Sequence, residues 1–230
     1  MKKICFFLLL LICNEVLFAA QSLENLRVND IPGCKKSSNK YRPELLDCTA
    51  LAPKQKLNLR EIREVPDALG GLTPAVPMIQ SFVSENWRER SKNKGVRAVG
   101  CRLRQFLQYS IYTKGEIRIL DTPEAFRSFF APVNSAAEAF SFAVALTGSE
   151  PIHKIDLPVG MAVEASDIPP TFVRKVSEGY LVHLFDYDLC GCGPHWTYSV
   201  EYLVRKDGTV EMTSRKKFYR DPQQDGLCVD

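Results

Sequence analysis

Only three histidines stand in this chain of 230 residues, and no apolar run in it is long enough to cross a bilayer. The longest, Ile4 to Cys13, has ten residues, where a spanning helix needs roughly 20. A Gly-rich phosphate loop, a Gly-x-Ser-x-Gly nucleophile turn and a His-Glu-x-x-His zinc helix are all missing. These gaps leave a histidine-based active site few starting points and imply no cofactor. Charge of one sign is scarce too. Thirty Lys and Arg against 27 Asp and Glu leave a formal net charge of +3, which argues against a general nucleic-acid binder. There is no internal repeat and no low-complexity tract.

What the chain does have begins with Lys2 and Lys3, the short apolar run, and the small residues Ala19 and Ala20. That is the three-part layout of a secretory signal, with cleavage expected after Ala20. The mature chain is then expected to be soluble and to lie in the periplasm or outside the cell. It is long enough to bury a core without help from cross-links.

Of the eight cysteines, six follow the signal: Cys34, Cys48, Cys101, Cys190, Cys192 and Cys228. An even number in an exported chain fits three disulfides. Cys34 and Cys48 are near neighbours in a loop-rich segment and make the easiest pair. The other four would join Cys101 and Cys228 to Cys190 and Cys192, since a bond between Cys190 and Cys192 would close a ring that disulfide geometry resists.

Residues 21–73 carry scattered Pro, Gly, Ser and Lys and read as an irregular arm pinned by Cys34–Cys48, ending at the break Gly70-Gly71. Residues 74–230 read as one α+β domain. Pro77 opens an expected helix through Met78, Ile79, Phe82, Val83, Asn86 and Trp87. Leu107, Tyr109 and Ile111 alternate as in a half-buried strand, and Glu116 to Leu120 reads as another. Thr122-Pro123 caps a short helix ending at Phe130. The clearest helix follows, with Ser135 and Glu138 as a capping box and Gly148 as the stop. It is apolar on nearly every side, so protein should surround it. Four β-branched and aromatic runs come next, from Thr171, Tyr180, Thr197 and Thr209. Glu178-Gly179 and Asp207-Gly208 supply tight turns. The fold expected is this helix packed on a four-stranded antiparallel meander.

The order of that helix, Thr171-Phe172-Val173, Gly179-Tyr180-Leu181-Val182, Tyr202-Leu203-Val204 and Asp207-Gly208-Thr209-Val210 resembles exported PepSY or cystatin-like domains over residues 134–220. The resemblance implies a helix gripped by an antiparallel sheet and a role in binding or inhibition. It implies no functional residue, and the stretch Cys190 to His195 lies outside its pattern.

Chemistry has three places to sit. Cys190-Gly-Cys192-Gly-Pro-His195, assisted by His183 on the preceding strand, offers thiolate and imidazole ligands to zinc or copper. The same residues could serve thiol redox chemistry, with His195 favouring a thiolate. Against both stands a tight turn stapled by two disulfides, which two glycines and a proline favour. The third place is basic. From Arg88 to Arg104 there are seven cations, Arg88, Arg90, Lys92, Lys94, Arg97, Arg102 and Arg104, against one acid. Such a run invites an anionic cell-envelope component as partner; Arg215, Lys216, Lys217 and Arg220 form a second cluster. The sequence as a whole reads as an exported, disulfide-stabilised binding protein without catalysis. The competing reading is a thiol or metal centre at Cys190, Cys192 and His195.

Overall fold

The structure is a computed structural model that describes residues 23–48, 61–85 and 94–230. Residues 1–20, expected to be the signal, lie outside the described residues, as do Trp87, Arg88, Arg90 and Lys92. The first strands are β1 (Lys35–Lys36), β2 (Leu46–Asp47) and β3 (Arg63–Glu64), followed by a 3-10 turn at Asp67–Gly71. Next come β4 (Met78–Ser84), β5 (Arg97–Val99), β6 (Gln105–Thr113) and β7 (Glu116–Leu120). Helices α1 (Pro123–Phe130) and α2 (Ala136–Thr147) lead to β8 (Ala162–Val163), β9 (Phe172–Val176) and β10 (Gly179–Tyr187). The chain closes with β11 (Gly191–Cys192), β12 (Trp196–Arg205), β13 (Val210–Arg220) and β14 (Cys228–Val229).

These strands form two five-stranded antiparallel sheets and two small pairs. The first sheet runs β3-β4-β6-β5, with β7 also paired to β6; the second runs β8-β13-β12-β10-β9. The expected class is therefore corrected. The described chain is mostly β, fourteen strands in four sheets with two short helices and one sheet curled into a half-barrel, and not a helix on a four-stranded meander.

The correction turns on β4. Its apolar residues fall at 78, 79, 82 and 83, which imitates a helix, yet the segment is a strand buried on both faces. Met78 enters the main core while its neighbour Ile79 enters a smaller cluster with Ile31 and Cys48. A short strand covered on both sides loses the alternation that marks a half-exposed one, and periodicity cannot separate it from a helix. With β4 in place, β6 has a partner along most of its length, from Met78 opposite Ile111 to Ser84 opposite Gln105. β3 and β4, where an arm and a helix were expected, thus join the two strands expected at β6 and β7 in a separate sheet. The supposed irregular arm is part of this body as well, since Leu23, Val65, Leu69 and Leu72 are buried in the main core.

The local signals around α2 are realised. Ser135 Oγ accepts from the Glu138 amide at 3.1 Å, and Glu138 Oε2 accepts from the Ser135 amide at 2.9 Å. Gly148 stops the helix with φ of 80°, a conformation that costs a residue without Cβ little. Every residue from Glu138 to Ala145 is buried, because α2 lies between the two sheets. Leu107, Tyr109 and Ile111 pack from the first, and Val182, Leu184, Val200, Tyr202 and Val204 from the second. Alongside them Phe126 meets Phe130 and Phe142 with ring centres 4.9 and 5.3 Å apart.

Gly70-Gly71 does more than break the chain. A Cβ on Gly71 would sit 2.3 Å from the Ala137 carbonyl oxygen, and one on Gly70 2.3 Å from that of Arg27. Ser141 Oγ fixes the same contact, donating to the Ala68 carbonyl at 2.6 Å and accepting from the Gly71 amide at 3.1 Å.

The second sheet's other face carries His183, Phe185 and Phe218. The segment after α2 reaches it from one edge, where Glu150 pairs with Phe185, and leaves from the opposite edge, where β8 pairs with β13. Residues 151–161 thus cross that face, and the crossing leaves room for a cavity.

Candidate functional site

The stretch Cys190 to His195 connects β10 to β12 at one end of the second sheet. Its two cysteines bond to different partners, Cys190 to Cys101 and Cys192 to Cys228, and Cys34 bonds to Cys48. Cys34–Cys48 is the local pair expected, and the structure assigns Cys190 to Cys101 and Cys192 to Cys228, a choice the sequence left open. Cys101 lies between β5 and β6, so one bridge ties the first sheet to the second. The other bridge reinforces β11 against β14, where Cys192 faces Cys228 in register. Gly191 adopts φ of 88°, and a Cβ on Gly193 would lie 2.7 Å from the Asp225 carbonyl oxygen. The glycines let the C-terminal tail lie directly on the turn.

His195 completes this staple. It is buried, with Nδ1 3.0 Å from the Asp188 carbonyl oxygen and Nε2 3.0 Å from that of Leu227. Both neighbours are acceptors. The ring therefore sits between the loop before the turn and the C-terminal tail and links the two.

His183 is held differently. Its Nδ1 lies 3.2 Å from the Pro170 carbonyl oxygen and its Nε2 2.8 Å from Ser199 Oγ. A hydroxyl can donate, so the neutral ring suits this site, giving a proton to Pro170 and accepting one from Ser199. Phe172 stacks on the ring at 5.1 Å, and Phe185 meets it edge-on. Burial there lowers the His183 pKa below the ordinary histidine value; the Pro170 carbonyl and the charge of Glu201 act in the opposite sense but more weakly.

The four residues of the metal reading do not converge. His183 lies opposite Glu201, and His195 precedes Glu201 by six residues, about 20 Å of extended chain. Both sulfurs are spent in disulfides. Among the described residues no group of three or more His, Cys, Asp or Glu is placed to hold a metal ion.

The described members of the basic run are dispersed. Lys94 lies 4.0 Å from Asp121, and Arg102 lies 3.8 Å from Asp230. Arg104 is exposed in the loop before β6, and Arg97 lines a cavity against α2. The later cluster belongs to the other sheet and is built into aromatic contacts. Arg215 sits 3.4 Å above the Tyr198 ring and pairs with Asp186 at 3.3 Å. Lys217 and Arg220 both lie over Trp196.

No sequence signal points to a cavity beside the stapled turn, about 620 Å³ between the second sheet and the crossing segment. Ile152, Met161 and Phe185 form an apolar part, and Leu189 belongs to the stapled turn. Asp186, Tyr187, Thr197, Asp221 and Gln224 bring polar groups. Tyr187 donates to Gln224 Oε1 at 2.9 Å, and partial burial with Asp221 nearby raises its phenol pKa. Arg220 is paired to Asp225. The lining comes from segments far apart in the chain, so no local motif announces it. Comparison with known protein families, curated proteins and solved structures finds no match for this chain.

Proposed function

We propose that this chain is an exported binding protein, periplasmic or secreted, without catalysis of its own, and that its ligand occupies the 620 Å³ cavity beside the stapled turn. The observation that carries the reading is what the reactive-looking residues do. Cys190, Cys192 and His195 are spent on holding the rim, Cys190 through its bond to Cys101, and Cys192 and His195 through their contacts with the C-terminal tail at Cys228 and Leu227. A pocket with apolar walls and a few converging polar groups is the ordinary form of a small-molecule site. Three disulfides, with no helix among the described residues long and apolar enough to cross a membrane, are compatible with an exported protein. The resemblance of residues 134–220 to exported PepSY or cystatin-like domains implies the same role.

The test has two parts. Thiol titration and metal analysis of protein purified without reductant should find no free thiol and no bound metal. A free Cys190 or Cys192, or a stoichiometric metal, would overturn the reading in favour of a thiol or metal centre. A panel of small organic probes mapped by NMR should then shift Tyr187, Thr197 and Gln224 together. Shifts scattered over the surface would remove the cavity from the proposal.

A further inference from the structure

A second cavity, of about 400 Å³, lies on the other side of the Gly148–Glu150 segment, between α2, β5 and the chain from Leu23 to Arg27. Leu23, Leu26, Phe140 and Val144 give it an apolar wall. Its charged lining is Arg27, Arg97, Glu24, Asp67, Glu150 and His153. Most of these are answered within the molecule. Arg27 pairs with Asp67 at 3.5 Å, and Glu24 lies 3.8 Å from His153. Glu150 is exposed at the rim shared with the larger cavity.

Arg97 has a hydrogen bond to the neutral Tyr109 phenol but no acid among the described residues to balance its charge. Among the described residues no carboxylate lies within 4.0 Å of it. Its Nε is buried and has no hydrogen-bond partner. The guanidinium is nevertheless held in place. A Cβ on Gly148 would lie 2.5 Å from Arg97 Cζ, so the glycine that ends α2 also makes the space in which the guanidinium rests. The group approaches the Tyr109 phenol as well, and Tyr109 is itself fixed by donating to the Ala145 carbonyl at 3.2 Å. A positioned, half-desolvated cation without a counter-ion is costly unless an anion completes it. A planar guanidinium is matched best by a carboxylate, which it can hold with two parallel hydrogen bonds.

We propose that this cavity binds the carboxylate of a small organic acid, with Arg97 as counter-ion and the apolar wall against the acid's carbon chain. It is a separate site from the cavity beside the stapled turn. Octanoate, acetate and inorganic phosphate are titrated separately into the isotopically labelled chain and followed by NMR. Octanoate should bind saturably and shift the Arg97 side chain, Tyr109 and Gly148. Acetate should bind at least about tenfold more weakly, because it lacks the buried methylenes. Arg97→Gln should weaken octanoate by about tenfold or more, and Arg97→Lys, which keeps charge but loses the fork, should fall between. Unchanged octanoate affinity in Arg97→Gln would overturn the proposal, as would phosphate binding tighter than octanoate. Absence of saturable octanoate binding, or shifts elsewhere in the molecule, would also overturn it, and those two readings need no variant.

Discussion

His195 Nε2 lies 3.0 Å from the carbonyl oxygen of Leu227, so a buried ring holds the C-terminal tail that Cys192–Cys228 tethers. The same carbonyl accepts from the Gly193 amide at 3.0 Å. Replacing His195 with Phe keeps the volume roughly filled but removes the polar ring atoms that face the Asp188 and Leu227 carbonyls. The expected loss is about 1–3 kcal/mol. Amide hydrogen exchange at Gly193 should accelerate while exchange in β10 and β12 stays slow. Unchanged exchange at Gly193 would show that the bridge alone holds the tail.

His183 makes a prediction about pH. Its folded-state pKa is lowered, mainly by burial, so on acidification the unfolded chain takes up the proton first. This contribution to stability is fully present above the ordinary histidine value of about 6.5 and declines as pH falls below it. Denaturant unfolding of the wild type and His183→Gln across roughly pH 8 to 5 measures it. The difference between the two should shrink towards acid. A constant difference would mean that His183 binds its proton equally well in the folded and unfolded chains.

At the other extreme, burial pushes the Tyr109 phenol up to about 12, with Arg97 nearby acting weakly in the opposite sense. Tyr109 should therefore be protonated in the fold while an unfolded tyrosine ionises near pH 10, so its share of stability is lost as pH rises through roughly 10 to 12. Tyr109→Phe also loses the bond to the Ala145 carbonyl, about 0.5–1.5 kcal/mol at neutral pH. Ultraviolet titration should show one fewer late-ionising tyrosine in that variant. Identical late titration in both proteins would contradict the assignment.

Gly71→Ala places a methyl 2.3 Å from the Ala137 carbonyl oxygen. Backbone on both sides limits relaxation, so the turn must lift from α2 at a cost of about 1–3 kcal/mol. Chemical denaturation gives the value, and wild-type stability in the variant would refute the close approach.

These positions show what the sequence could and could not convey. The caps of α2 were legible because Ser135, Glu138 and Gly148 act within a few residues of the helix they bound. The turn at Asp207-Gly208 was legible for the same reason. Three bridges and the Cys34–Cys48 pair followed from the even count and close spacing, whereas the partners of Cys190 and Cys192 depend on how the two sheets meet. β4 was misread as a helix because Met78 and Ile79 are buried on opposite faces, which removes the one pattern that distinguishes a strand. Gly70-Gly71 was read as a break because nothing local reveals that the chain at Arg27 and Ala137 will press against it. The larger cavity joins Ile152, Tyr187 and Asp221, and no spacing rule connects such distant residues.

The three disulfides also determine what a protease could release. A single cut between Cys101 and Cys190, or between Cys192 and Cys228, leaves both pieces covalently joined. So does a cut between Cys34 and Cys48. A cut between Cys48 and Cys101 is different, because no bridge spans that stretch. On a non-reducing gel, protein nicked inside one of the three bridged stretches would therefore keep its full size, whereas cleavage between Cys48 and Cys101 would release a smaller fragment that carries the Cys34–Cys48 ring away intact.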